Sequence, residues 1–376
     1  MIGMAIRNSR TCSSRALGVL AVAALAAIAL TEAVRWYQVD PLRDEKNAAT
    51  EWMRLSMESI RTEKLKTGIP VDRRIDLNDT GVIGVEYTDI TTTLGSLAAK
   101  RTSANPAFAA IVVDLLDQAG VKPGDNVAVS FSGSFPALNI AVLSAAKALR
   151  LRLAIISSIG SSMYGANQPD MTWLDMERIL AEEGIFSYRS IAASLGGIPG
   201  TGGGLDATGI GLGLDAIRRN GITLIEEWGD STLVADVRRR MDLFDLAFDG
   251  KKPAAFINVG GSLTSMGDGV ESYRIPTGFL KKVPPVRDPE RGIVFLMDER
   301  GVPVIHLLRI KSIASRYGIP FDPVPFSSGV PEGIRAAGRY SAPLAGAGLA
   351  VMIALVWITR NKGLAREVGE SKSGWF

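Results

Sequence analysis

Two long apolar runs, one near each end, constrain this 376-residue chain more than any other feature. Residues 16–30 are apolar without interruption, and residues 340–359 carry no charge over 20 positions. A helix rises about 1.5 Å per residue, so 20 residues reach roughly 30 Å, the hydrocarbon thickness of a bilayer. We predict membrane spans over 16–34 and 340–359. A cleaved signal peptide is the alternative for the first run, and a buried core helix for the second.

Basic side chains lie on the outer flank of both runs. Several arginines precede the first run, and Arg360, Lys362 and Arg366 follow the second. Cytoplasmic flanks of membrane spans carry an excess of Lys and Arg. We therefore expect a two-pass protein of the cell membrane. Its tails, over 1–15 and 360–376, are expected in the cytoplasm, and its main domain outside.

Strand-like and helix-like segments alternate between the two runs. We predict a membrane-proximal helix and linker over 35–80, an α/β domain over 81–320 and a Pro-rich linker over 321–339. The predicted strands are 82–88, 126–131, 153–158, a β-rich run over 187–195, 222–226, 254–259 and 293–297, and the predicted helices are 43–66, 107–118, 137–149, 172–183, 206–219, 233–248 and 304–317. Such alternation is typical of a mostly parallel, doubly wound sheet with helices on both faces.

Three loops rich in Gly and Ser follow predicted strands, over 132–134, 200–204 and 260–265. Ligands of open parallel sheets bind beyond the carboxyl ends of the strands, so we expect these loops to converge there. Glycine lets the backbone approach a ligand, and free N–H groups at helix starts attract anions. The predicted ligand-binding residues are Ser132, Gly133, Ser134, Gly202, Gly203, Gly204, Gly260, Gly261 and Ser262, assisted by Lys100 and Arg101.

Two other interpretations apply to the glycines around the second loop. Gly209 and Gly213 lie one helical turn apart, which favours close packing of a helix on the sheet without any ligand. The spacing of Gly202, Gly204 and Ala207 matches the dinucleotide pattern G-x-G-x-x-A. The expected location outside the membrane argues against a cytosolic dinucleotide.

The composition limits which binding sites and partners can be expected of this chain. The chain has one cysteine, Cys12, and one histidine, His306, so it predicts neither an intramolecular disulfide nor a zinc site built from these residue types. We predict no metal site, and no cofactor can be named. A net charge of +3 is too small to favour nucleic acid as a partner. His306 lies in an apolar run and is interpreted as a core residue.

Serine chemistry is the alternative to simple binding. Ser132 and Ser134 follow a predicted strand as a nucleophile would, although the motif G-x-S-x-G is absent. A lysine base would be required, with Lys100, Lys147 or Lys311 as candidates. Whether the chain is an enzyme stays open at this point.

Four stretches together carry a family resemblance. They are GVEYTDITTTLGSLAAKRTSANPAF at 84–108, SGSFPALNIA at 132–141, SSMYGANQPDMTWLDME at 161–177 and the glycine-rich stretch 196–221. In these stretches the chain resembles the poly-γ-glutamate system proteins, bacterial membrane proteins associated with making or exporting poly-γ-glutamate. The resemblance spans most of the chain, including an apolar segment near each end.

The resemblance implies an accessory protein of poly-γ-glutamate biosynthesis or export in the cell envelope, in the context of capsule formation. The implied partners are the anionic glutamate polymer and the synthase or export subunits. It assigns no catalytic residue. The alternative is an extracytoplasmic hydrolase or transferase that acts on the polymer through Ser132 or Ser134.

Overall fold

The computed structural model describes residues 14–36, 40–196, 204–225, 232–269, 272–286, 291–326, 334 and 341–372. The predicted ligand residues Gly202 and Gly203 lie outside this part of the chain, as do residues 1–13 of the predicted N-terminal tail and most of the Pro-rich linker. The chain divides into two compact units. One consists of Met1–Asp40 and Ala336–Phe376, and the other is Pro41–Arg335.

Helices and strands alternate through the second unit. In the part of the chain that the structure describes, the α-helices are α1 (Ser14–Trp36), α2 (Arg43–Lys66), α3 (Leu97–Ser103), α4 (Ala107–Gln118), α5 (Pro136–Ala148), α6 (Trp173–Glu182), α7 (Ala207–Arg219), α8 (Leu233–Ala247), α9 (Leu263–Met266), α10 (Ile293–Glu299), α11 (Ile310–Arg316) and α12 (Ala342–Lys372). The strands are β1 (Thr91–Thr93), β2 (Asn126–Ser132), β3 (Arg152–Ser158), β4 (Ser161–Ser162), β5 (Ala192–Ser194), β6 (Thr223–Leu224), β7 (Ala255–Val259), β8 (Gly278–Leu280) and β9 (Val304–Leu307).

The first unit contains the helices α1 and α12, which contact each other where Gly348 faces Ala27. In α1, Leu17–Val34 is long and apolar enough to cross a membrane, although a signal sequence near an N-terminus meets the same criterion. The apolar part of α12, Ala342–Ile358, is shorter. At about 1.5 Å per residue it falls short of the roughly 30 Å hydrocarbon core. The second predicted span, over 340–359, is therefore not confirmed.

The main sheet has the strand order β6-β5-β3-β2-β7-β9-β8. All neighbouring strands are parallel except β8, which runs antiparallel to β9. From β2 the chain proceeds outward through β3, β5 and β6, then returns to the other side of β2 with β7. The order thus reverses between β2 and β7, as in doubly wound folds. The predicted mostly parallel α/β sheet is confirmed.

Alternating side chains of β2 show how the sheet is covered on both faces. Val127 and Val129 belong to the core shared with α2, α4 and α5, whereas Ala128 belongs to the core shared with α8 and α10. Successive residues of a strand point to opposite faces, so one buried strand contributes to both cores. The sheet is therefore fixed between two helical layers, and ligand access is left to its edges.

Three predicted elements are wrong. Residues 82–88 form no strand, although their backbone bonds to the loop after β4, with Gly84 N donating to Tyr164 O and Tyr164 N to Val85 O. Residues 293–297 belong to a helix, α10, rather than a strand. The predicted helix 304–317 is strand β9 followed by helix α11. Short apolar runs have no period that distinguishes helix from strand, so neighbouring elements decide.

His306 lies in β9 and is buried, as expected of a core residue. Its Nδ1 is 3.0 Å from the Asn258 side-chain nitrogen. Burial, together with the nearby Arg309, lowers the pKa of His306 to about 4. The imidazole is therefore neutral near pH 7 and makes a polar contact between two adjacent strands.

Candidate functional site

A cavity of about 780 Å³ lies beyond the carboxyl ends of β2, β3, β7 and β9, and we call it the edge cavity. Its wall includes Ser132 at the end of β2, Ser158 at the end of β3, and the segment after β7. This position spans the point where the strand order reverses, which is where ligands of doubly wound sheets bind. The edge cavity is therefore the candidate functional site.

The edge cavity gathers most of the residues that the sequence pattern predicts as ligand-binding. Those that line it are Lys100, Ser132, Ser134, Gly204, Gly261 and Ser262. Gly133 lies between two of them, and its N–H donates to Ser158 O at 2.9 Å. Gly260 adopts φ +95°, a conformation that favours glycine, and a Cβ there would lie 3.0 Å from Ser132 Cβ.

Arg101 is the exception. Its guanidinium forms an ion pair with the Asp322 carboxylate and bonds to Ile75 O, and it is not among the residues lining the cavity. The adjacent Lys100 points the other way, because neighbouring residues of a helix do not share a face. Lys100 thus contributes to the cavity, while Arg101 ties α3 to the start of the Pro-rich linker.

Lys100 is held by three groups at the cavity wall. Its ammonium donates to Ser134 O and, at 2.8 Å, to Ser162 Oγ, and it lies 3.7 Å above the centre of the Phe135 ring. Ser96 begins α3 by accepting a hydrogen bond from Ala99 N, which fixes the helix that carries Lys100. Burial lowers the pKa of Lys100 from 10.5 to about 7. Near neutral pH this amine is therefore a mixture of its charged and neutral forms.

Arg309 and Lys311 supply further positive charge to the cavity wall. Both side chains are exposed; Arg309 donates to Tyr273 O, and Lys311 Nζ lies 5.8 Å from the centre of the Phe321 ring. No Asp or Glu occurs among the described residues that line the cavity. With Lys100 the wall carries three basic side chains and many hydroxyl groups, an environment that favours an anion.

The side-chain hydroxyls of the predicted nucleophiles Ser132 and Ser134 accept hydrogen bonds from backbone N–H groups. Ser132 Oγ accepts a hydrogen bond from Ser134 N at 3.1 Å, and Ser134 Oγ accepts one from Ser162 N at 3.0 Å. Among the described residues, neither hydroxyl contacts a side chain able to take its proton. The serine beside a base is Ser162, whose Oγ receives the hydrogen bond from Lys100.

Sequence reasoning missed the pairing of Lys100 with Ser162 because these residues are 62 positions apart. They meet through the short parallel pair of β1 and β4, in which Thr93 lies opposite Ser162. A two-residue strand has no recognisable pattern. The available signal was the pair Ser161-Ser162 just after a buried strand.

No protein-family model, curated protein or solved structure matches this chain. Within the described residues, no group of three or more His, Cys, Asp or Glu side chains is arranged to hold a metal ion. Gly202, at the start of the dinucleotide pattern, lies outside the described residues, so that interpretation stays untested. The arguments about function therefore start from the geometry and charge of the edge cavity.

Proposed function

We propose that this chain is an accessory membrane protein of poly-γ-glutamate biosynthesis or export that binds the anionic polymer in the edge cavity, outside the membrane. One observation carries the proposal: the wall has two exposed basic side chains, Arg309 and Lys311, and no Asp or Glu among its described residues. Poly-γ-glutamate presents one free α-carboxylate per residue. A cavity with this charge favours a chain of carboxylates over a neutral or cationic ligand.

The exposed side chains of the wall also suit the polymer in hydrogen-bond geometry and in apolar surface. The planar guanidinium of Arg309 can hold a carboxylate through two parallel hydrogen bonds, and Lys311 attracts one as a point charge. Leu94, Tyr273 and Phe321 are exposed at the same wall and offer apolar surface to the methylene groups of a γ-linked backbone. The helix α1 would keep the unit near the membrane, where the proposed synthase or export subunits are located.

Titration of the full-length protein in non-ionic detergent with poly-γ-glutamate tests this proposal. Arg309→Ala with Lys311→Ala should weaken binding, and so should raised salt, because exposed ionic contacts are worth roughly 0.2–1 kcal/mol each and are screened. The matched control is Lys281→Ala with Lys282→Ala. These two exposed lysines follow Leu280, which pairs with Val304. Val304 is the first residue of β9, at the end of that strand away from the edge cavity.

The control pair should bind the polymer like the wild-type protein. Absence of binding at low salt would refute the proposal. Equal weakening by both pairs would also refute it, because it would reduce the interaction to net charge without a defined site.

A further inference from the structure

We propose that Ser162 is a nucleophile and Lys100 its general base, and that together they cleave or transfer γ-amide bonds of glutamate polymer held in the edge cavity. The identity of the substrate rests on the function proposed above, whereas the assignment of the two residues rests on their own geometry. Neither predicted serine, Ser132 or Ser134, takes this role.

The first argument is position. Lys100 Nζ lies 2.8 Å from Ser162 Oγ, which is within the range required of a nucleophile and its base. Both side chains line the edge cavity. Ser162 is fixed at two points: its N–H donates to Ser134 Oγ at 3.0 Å, and its strand pairs with β1. The hydroxyl is thus presented to the cavity on a rigid backbone.

The second argument is the state of the amine. Lys100 is 3% exposed, and its contacts are a carbonyl oxygen, a hydroxyl and an aromatic ring, none of which is a carboxylate. Burial alone lowers its pKa to about 7, with no contribution from another charged group. A lysine paired with a carboxylate would stay protonated. This one is able to accept a proton near neutral pH, which is the requirement for a lysine base.

The proposed step balances without a cofactor. Ser162 Oγ attacks the carbonyl carbon of a γ-amide, and its proton moves to the neutral Lys100 Nζ. The C–N bond then breaks, and the Lys100 ammonium returns the proton to the departing amine. The product is an acyl ester on Ser162, which water hydrolyses to a shorter polymer or a second amine converts to a new amide.

A purely structural role is the competing explanation: Lys100 would only tie the loop at Ser134 to β4. Labelling of the full-length protein with a fluorophosphonate separates the two, because this probe forms a covalent bond with an activated serine Oγ and releases fluoride. We expect the label on Ser162, as read from the mass of its peptide. Labelling should be lost in Ser162→Ala and slowed about 10²–10⁴-fold in Lys100→Met.

Two controls complete the design. Ser130→Ala removes a buried hydroxyl of β2 that has no hydrogen-bond partner among the described residues and is not among those lining the cavity, so labelling should be unchanged. The labelling rate of the wild-type protein should rise with pH up to about 7, the pKa of Lys100, and then level off. Lys100→Met should show no such inflection.

Failure of this inference is distinguishable from failure of the proposed function. Polymer binding with no label on Ser162, or with a labelling rate that Lys100→Met does not change, would overturn the assignment of the pair and leave the binding function intact. Labelled Ser162 without polymer binding would refute the proposed polymer and support the catalytic pair. With polymer and hydroxylamine, the wild-type protein should form a hydroxamate, and Ser162→Ala should not.

Discussion

Replacement of Lys100 by methionine should change how protein stability depends on pH. Methionine has a similar length and no charge, so it fills the same space beside the Phe135 ring. In the folded protein the pKa of Lys100 falls from 10.5 to about 7 because the amine is buried. In the unfolded chain the amine regains its ordinary pKa. The two states therefore bind different numbers of protons at this side chain between about pH 7 and 10.5.

The sign follows from that difference. The unfolded chain holds more protons in this range, so the free energy of unfolding rises with pH. Each pKa unit corresponds to about 1.4 kcal/mol, and the contribution of Lys100 should increase by about 2 kcal/mol between about pH 7 and pH 9. Below about pH 7 the charged amine is buried in the folded state, and its full cost, on the order of 5 kcal/mol, opposes folding.

Denaturant unfolding of the full-length protein in detergent, followed by tryptophan fluorescence, measures this effect. Trp173 is buried against Phe131 and reports on the core. Lys64, whose pKa burial lowers to about 8, adds a dependence of the same sign to both proteins and cancels in their difference. We expect the wild-type protein to gain about 2 kcal/mol more than Lys100→Met over this range. Parallel pH profiles would show that Lys100 keeps its ordinary pKa and would refute the reasoning.

Three further predictions concern the glycines and the membrane topology. Gly209→Ala should destabilise the protein by about 1–3 kcal/mol in chemical unfolding, because its Cβ would lie 2.1 Å from a backbone carbonyl oxygen. Gly211→Ala, on the same helix and with no atom of the described residues within 4 Å of its Cβ, should instead stabilise the protein by up to about 1 kcal/mol, and equal effects would contradict this account. Gly204→Val should cost about 1–3 kcal/mol by backbone strain, since φ is +77° and its Cβ meets no atom of the described residues within 4 Å; an unchanged melting temperature would exclude the strain. Reporter fusions after Arg366 and after Pro284 should give opposite signals if both tails are cytoplasmic, and equal signals would exclude that topology.

The sheet could be predicted from sequence because its central strands are rich in apolar residues and are followed by loops and helices. Residues 127–132 and 154–158 are buried on both faces, which is the property that parallel strands require. The strands near the β8 edge of the sheet were harder to predict. Residues 304–307 are apolar enough for either a buried helix or a buried strand, and pairing with β7 and β8 makes them a strand.

The position of the site could be predicted from the sequence, but the side chains that determine its chemistry could not. Loops after parallel strands must share an edge, so Ser132 and Gly261 were placed together by topology alone. The side chains that decide the chemistry are not in those loops. Arg309 follows β9, which was predicted as part of a helix, and Ser162 belongs to a two-residue strand whose partner lies about 70 residues earlier. Tertiary contacts of this kind leave no local pattern.

The edge cavity has exposed basic side chains, Arg309 and Lys311, and one buried basic side chain, Lys100. Because the exposed pair is proposed to bind polymer and the buried lysine to act on Ser162, the two roles can be tested separately. Arg309 and Lys311 are exposed, so their attraction for a polyanion should weaken as salt shortens the Debye length from about 10 Å at 0.1 M to about 3 Å at 1 M. The proton equilibrium of Lys100 is set by desolvation, which salt hardly affects. Salt should therefore reduce polymer binding without moving the pH at which Ser162 becomes reactive. Conversely, a change from about pH 6 to pH 8 should alter the reactivity of Ser162 and leave binding nearly constant, because the proposed binding depends on the exposed Arg309 and Lys311 and not on the buried Lys100. If salt and pH instead changed both properties together, the three basic side chains would act as one binding cluster, and Ser162 would have no role of its own.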